Sequence, residues 1–160
     1  MFHRVPLLLL SVLCFPSPSQ QTLPNGKPDF SGKWQLEQKG DQKSAGSMLI
    51  IEQNASEIRL RDAQTATDAG TSVKCGTTGK ECAAKVDGHD ARVTFWYNGP
   101  TLEEMSTSGD NVTKIRRTIS ADGKKLVVEV LSIVPTGKDP EKLTFVRSDA
   151  TEQRADTKVP

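Results

Sequence analysis

Three turn signals in the second half of this chain agree on a single face, and that agreement constrains the fold more than any other feature. Asn98-Gly99, Gly109-Asp110 and Asp122-Gly123 each lie between runs of alternating apolar and polar residues. Such dipeptides favour tight hairpins. Centring the last turn sets Ile119 opposite Leu126, Arg117 opposite Val128, Ile115 opposite Val130 and Arg116 opposite Glu129. The middle turn sets Leu102 opposite Arg117 and Glu104 opposite Ile115, and the first sets Phe95 opposite Leu102 and Val93 opposite Glu104. All three place Val93, Phe95, Tyr97, Leu102, Glu104, Ile115, Arg117, Ile119, Leu126, Val128 and Val130 on one side of a sheet.

The first half follows the same plan. A turn at Asn54-Ala55 pairs Ile51 with Ile58 and Leu49 with Leu60. A four-residue loop over 87–90 pairs Val86 with Ala91 and Ala84 with Val93, and a turn at Thr78-Gly79 sets Cys75 opposite Cys82. Strands are expected near 30–38, 47–53, 57–62, 70–76, 81–86, 91–97, 101–107, 112–120, 125–134 and 142–147. Long amphipathic helix patterns are missing. Regular short strands with one shared apolar face predict an all-β, antiparallel up-and-down barrel of eight to ten strands, since closure removes exposed sheet edges.

The ends read differently. In residues 1–19 a basic start, "MFHR", an apolar run, "VPLLLLSVLCF", and small residues, "PSPSQ" up to Ser19, have the layout of a secretory signal. Cleavage is expected near Ser19–Gln20. Leu13 before Cys14, and the place of Cys14 inside the apolar run, argue against a lipoprotein anchor. Residues 20–28 read as a linker, 29–147 as the barrel and 148–160 as a flexible polar tail. Loss of Arg4 with the leader brings the formal charge close to zero, so no basic field attracts nucleic acid and no polybasic helix seeks a membrane. The two remaining cysteines, Cys75 and Cys82, are an even pair in an exported chain, which favours a disulfide and a secreted or periplasmic location. Their C-x6-C spacing is not the C-x-x-C of thiol oxidoreductases.

"DFSGKW" at 29–34 opens the first strand. Gly32-Lys33-Trp34 resembles the G-x-W motif that begins lipocalins, and the resemblance implies structural roles for Gly32 and Trp34 at the barrel floor. It also implies that Arg147, in "LTFVRS", covers the tryptophan. A T-D-Y-type second motif and a helix before the C-terminus are missing from the sequence pattern. "FSGKW", "LIIEQ" at 49–53, "YNGPTL" at 97–102 and "SADGKKL" at 120–126 together resemble small exported lipocalin-like proteins of bacteria, over roughly 29–147. That resemblance implies fold, and it transfers no function.

Chemistry is sparse. His89 is the one histidine left after the leader and lies in a turn pattern, so no zinc site is expected. A nucleophile elbow and a phosphate-binding glycine loop are absent, no cofactor is implied, and the acids Glu103, Glu104 and Asp110 alone do not make a glycosidase. The sequons at Asn54 and Asn111 fall at turns. The unusual expectation is Glu104 and Arg117 on the inward face of adjacent strands, where a charge is costly unless paired. Two readings follow. The pair faces a water-filled cavity or a polar ligand head group, with Phe95, Tyr97, Leu102 and Val128 as apolar wall, or it is a structural pair near a barrel rim. The expected function is non-catalytic binding of a small apolar or amphiphilic molecule. The alternative is a filled barrel that acts through loops such as 99–111 and 135–141 as an envelope interaction or inhibitor module.

Overall fold

The computed structural model describes residues 21–40, 42–43, 47–63, 71–86 and 88–148. The expected leader over 1–19 and nearly all of the polar tail lie outside them. The described chain is all β. Its strands are β1 (Gly32–Lys39), β2 (Gln42–Lys43), β3 (Met48–Gln53), β4 (Glu57–Ala63), β5 (Thr71–Gly76), β6 (Glu81–Val86), β7 (His89–Asn98), β8 (Thr101–Ser108), β9 (Asn111–Ile119), β10 (Lys125–Val134) and β11 (Glu141–Arg147). Ten of these match the expected strands, and the two-residue β2, which pairs only with β1, had no sequence signal.

Hydrogen-bonded neighbours run β5-β4-β3-β1-β11-β10-β9-β8-β7-β6, antiparallel throughout. The first and last members of this path, β5 and β6, lie side by side, so the sheet forms a nearly closed barrel. They share no ladder among the described residues. A Cys75–Cys82 disulfide crosses the seam instead, with Cα atoms 5.9 Å apart. Gly79 N also donates to Phe95 O at 2.8 Å, tying the β5–β6 turn to β7.

Two hairpins have the expected register. Around Asp122-Gly123, Ile119 pairs with Leu126, Arg117 with Val128, Ile115 with Val130 and Arg116 with Glu129. Around Gly109-Asp110, Leu102 pairs with Arg117 and Glu104 with Ile115. Three others differ from the expected register by two residues. At β7–β8, Asn98 pairs with Thr101 and Phe95 with Glu104, because Gly99 (φ 57°) takes the first loop position and Pro100 follows it. At β3–β4, Gln53 pairs with Ile58 and Ile51 with Leu60. Asn54 Oδ1 accepts from the amides of Ser56 and Glu57, both at 2.9 Å, so Asn54 opens the turn and does not sit at its centre. At β6–β7, Val86 pairs with His89 and Ala84 with Ala91, so the connection is two residues long and His89 begins a strand. Each correction is an even number of residues. The period of a strand is two, so no side chain changes face.

The core is therefore the expected one. Phe30, Trp34, Ile58, Val93, Phe95, Leu102 and Leu126 are completely buried, with Ile51, Ile119, Val128 and Phe145 nearly so. Residues 21–28 make a short turn closed by a Thr22–Pro28 bridge, with Asn25 Nδ2 donating to Ala55 O at 2.8 Å. They lie against the same end of the barrel as the β3–β4 and β7–β8 turns.

Candidate functional site

The closed end is built around Trp34. Its Nε1 donates to Phe30 O at 3.0 Å, and the Arg147 guanidinium stacks over the ring with Cζ 4.3 Å from the centroid. Arg147 Nη1 donates to Ser31 O at 2.8 Å and Nε to Gly123 O at 3.1 Å. Gly32 has φ 141°, and a Cβ there would stand 2.5 Å from Arg147 Nη1. The glycine is thus required by backbone conformation and by the approach of the arginine. Gln53 fastens the N-terminal arm beside this group. Its Oε1 accepts from Phe30 N at 3.0 Å, and its Nε2 donates to the Tyr97 hydroxyl and to Pro28 O. Lys27 Nζ stands 4.4 Å above the Tyr97 ring. Burial, together with the negative charge of Asp29, pushes the Tyr97 hydroxyl up to about 12 against the opposing hydrogen bond from Gln53.

Above this end the strand pairings stack inward side chains in rows. One row holds Leu102, Arg117 and Val128. The next holds Phe95, Glu104, Ile115 and Val130, and the one above it Val93, Ser106, Thr113 and Ser132. Arg117 Nη1 lies 2.7 Å from Glu104 Oε2, diagonal across β8 and β9, with both side chains over nine-tenths buried. Phe95 caps the guanidinium, its centroid 6.0 Å from Cζ. The ion contact balances the charges, yet Arg117 Nε is buried with no hydrogen-bond partner among the described residues.

A cavity of about 400 Å³ opens above the pair at the opposite end from Trp34. Its lining comprises Val86, His89, Glu104, Ser106, Ser108, Asn111, Thr113, Ile115 and Val130. Of the six residues expected to contact a ligand, only Glu104 lines this space. Arg117 lies one row deeper, Phe95, Leu102 and Val128 are packed around the pair, and Tyr97 belongs to the closed end. Sequence reasoning missed Ser106, Ser108, Asn111 and Thr113 as lining residues. Their signal was present: small polar side chains at inward positions of β8 and β9, where the rows below carry bulky ones.

On the outer face Glu103 is also nearly completely buried, under Lys114 (2.9 Å) and Arg116 (3.6 Å). Burial works against its ionisation, but hydrogen bonds from Lys114 and Asn98 and the two cationic charges outweigh it and hold the carboxyl below its usual range. Among the described residues, no cluster of three or more potential metal ligands occurs, and no helix is long and apolar enough to cross a membrane.

No protein-family model matches the chain, and no curated protein matches it. Solved structures do. Fatty-acid-binding protein 1 of Echinococcus granulosus superposes with a TM-score of 0.57 at 14% identity, covering 74% of this chain and 97% of that one. Human cRBP IV gives 0.58 at 18% identity, covering 75% and 98%. The apo form of Caenorhabditis elegans lipid binding protein 8 gives 0.57 at 10% identity, covering 74% and 95%. The fold is that of a lipocalin-like β-barrel. At these identities the likeness is one of fold alone.

Proposed function

We propose that the chain is a non-catalytic carrier that holds one small amphiphilic molecule inside its barrel. The observation that carries this reading is the cavity of about 400 Å³ on the inward face, floored by a buried ion pair. That volume falls within the roughly 300–1,000 Å³ usual for small-molecule sites. Ile115 and Val130 supply apolar wall, and Ser106, Ser108, Thr113 and Asn111 supply hydrogen-bonding groups toward the mouth. Two barrels of the same fold are named for binding fatty acid and for binding lipid, which supports the reading by analogy. Export is part of the proposal. The leader-like segment supports it, and the Cys75–Cys82 disulfide fits an oxidising compartment.

A second reading rests on the filled half of the barrel. Phe30, Trp34, Phe95, Leu102 and Leu126 are completely buried, and residues 135–140 form an exposed loop. In this reading the molecule acts through its loops on a protein partner. Native mass spectrometry of protein purified from an exporting host, followed by solvent extraction, separates the two. A bound molecule near one-to-one establishes the carrier. Failure to bind any of a panel of lipids and other amphiphiles moves the function to the loops.

A further inference from the structure

We propose that the cavity selects a neutral, hydroxyl-bearing head group and rejects a carboxylate. The inference rests on the carrier reading and adds the chemistry of the ligand's polar end. The deepest polar group of the lining is Glu104, an acceptor, and the cation lies beneath it. A molecule in the cavity meets the Glu104 carboxylate, which lines it, before it meets Arg117, which does not. Oε2 lies 2.7 Å from Arg117 Nη1 and has no hydrogen-bond partner among the described residues, and Glu104 lines the cavity, which leaves its carboxylate as an acceptor for a molecule there.

Charge balance points the same way. Glu104 and Arg117 together contribute no net charge. A hydroxyl donated to Glu104 adds none and satisfies a buried acceptor. A carboxylate in the same place brings a second negative charge against Glu104, and the Arg117 guanidinium beneath it is already matched. An ammonium head would leave an unbalanced positive charge in the buried row. The hydroxyls of Ser106 and Thr113, one row above, both donate and accept, and so they fit an alcohol as well as water. Glu104 is therefore a specificity-determining residue: it neutralises the arginine and presents an acceptor in its place.

The test is calorimetric titration of the full mature protein with decanol and with decanoate at neutral pH. The wild type is expected to bind decanol at least about tenfold more tightly. Glu104→Gln releases Arg117 from its partner and is expected to invert the order, with decanoate the tighter ligand. Because that variant leaves a buried cation, the double variant Glu104→Gln, Arg117→Gln is measured beside it. It keeps hydrogen-bonding groups without charge, and its preference is expected to shrink to within a factor of about three. Decanoate binding to the wild type as tightly as decanol overturns the head-group assignment and leaves the carrier reading standing. Binding of neither probe overturns both.

Discussion

Tyr97 is the chain's single tyrosine, so its ionisation can be read without interference. Its hydroxyl is held up to about 12 by burial and by Asp29. The folded form therefore disfavours the phenolate, and the stability this gives is intact below about 10, the value for a free tyrosine. It is lost as pH rises from there through about 12. Spectrophotometric titration should show phenolate appearing late and together with unfolding. In urea-unfolded protein it should appear near the free value. Gly32 gives a second test at this scale. Gly32→Ala needs a positive φ from an L residue and pushes Cβ against Arg147. A loss of roughly 1–3 kcal/mol is expected, read as a lower urea midpoint with an unchanged slope.

Among the elements, the seam between β5 and β6 is the distinctive one. Elsewhere on the ten-strand path each described strand is held to both neighbours by a ladder, but here the covalent link and the Gly79 amide stand in for one. Closing so short a ring is worth about 2.5 kcal/mol in the loop-entropy model. Replacing both cysteines by serine should lower stability by about that amount and speed amide exchange in β5 and β6 more than in β9 and β10. The strands were legible because turn residues punctuate them and alternation marks their faces. The register of three hairpins was not legible. Asn54 acts through its side chain as a turn opener, and Gly99 supplies its positive φ at the first loop position, choices that a dipeptide signal alone does not distinguish.

Across the whole molecule the described residues place the largest buried side chains toward Trp34 and a cavity toward the opposite end. Phe95 is completely buried in the same row as Glu104, Ile115 and Val130, which line the cavity. Phe95→Ala should cost about 3–5 kcal/mol in chemical denaturation. The same variant should join new space to the cavity and favour longer-chain ligands over decanol, a shift that competition titration would detect.

Alternation and turn chemistry by themselves determined the strand order, the inward face and the presence of Glu104 and Arg117 on it. These follow from a period of two that survives any even slip in register. Packing around the barrel decided the rest. Which rows are filled depends on side chains from strands far apart in sequence, as when Trp34, Arg147 and the arm carrying Phe30 meet at one end. Which member of the ion pair faces the cavity depends on a height along the barrel axis, fixed only when ten strands are registered together. Local sequence carries face, and tertiary structure carries depth.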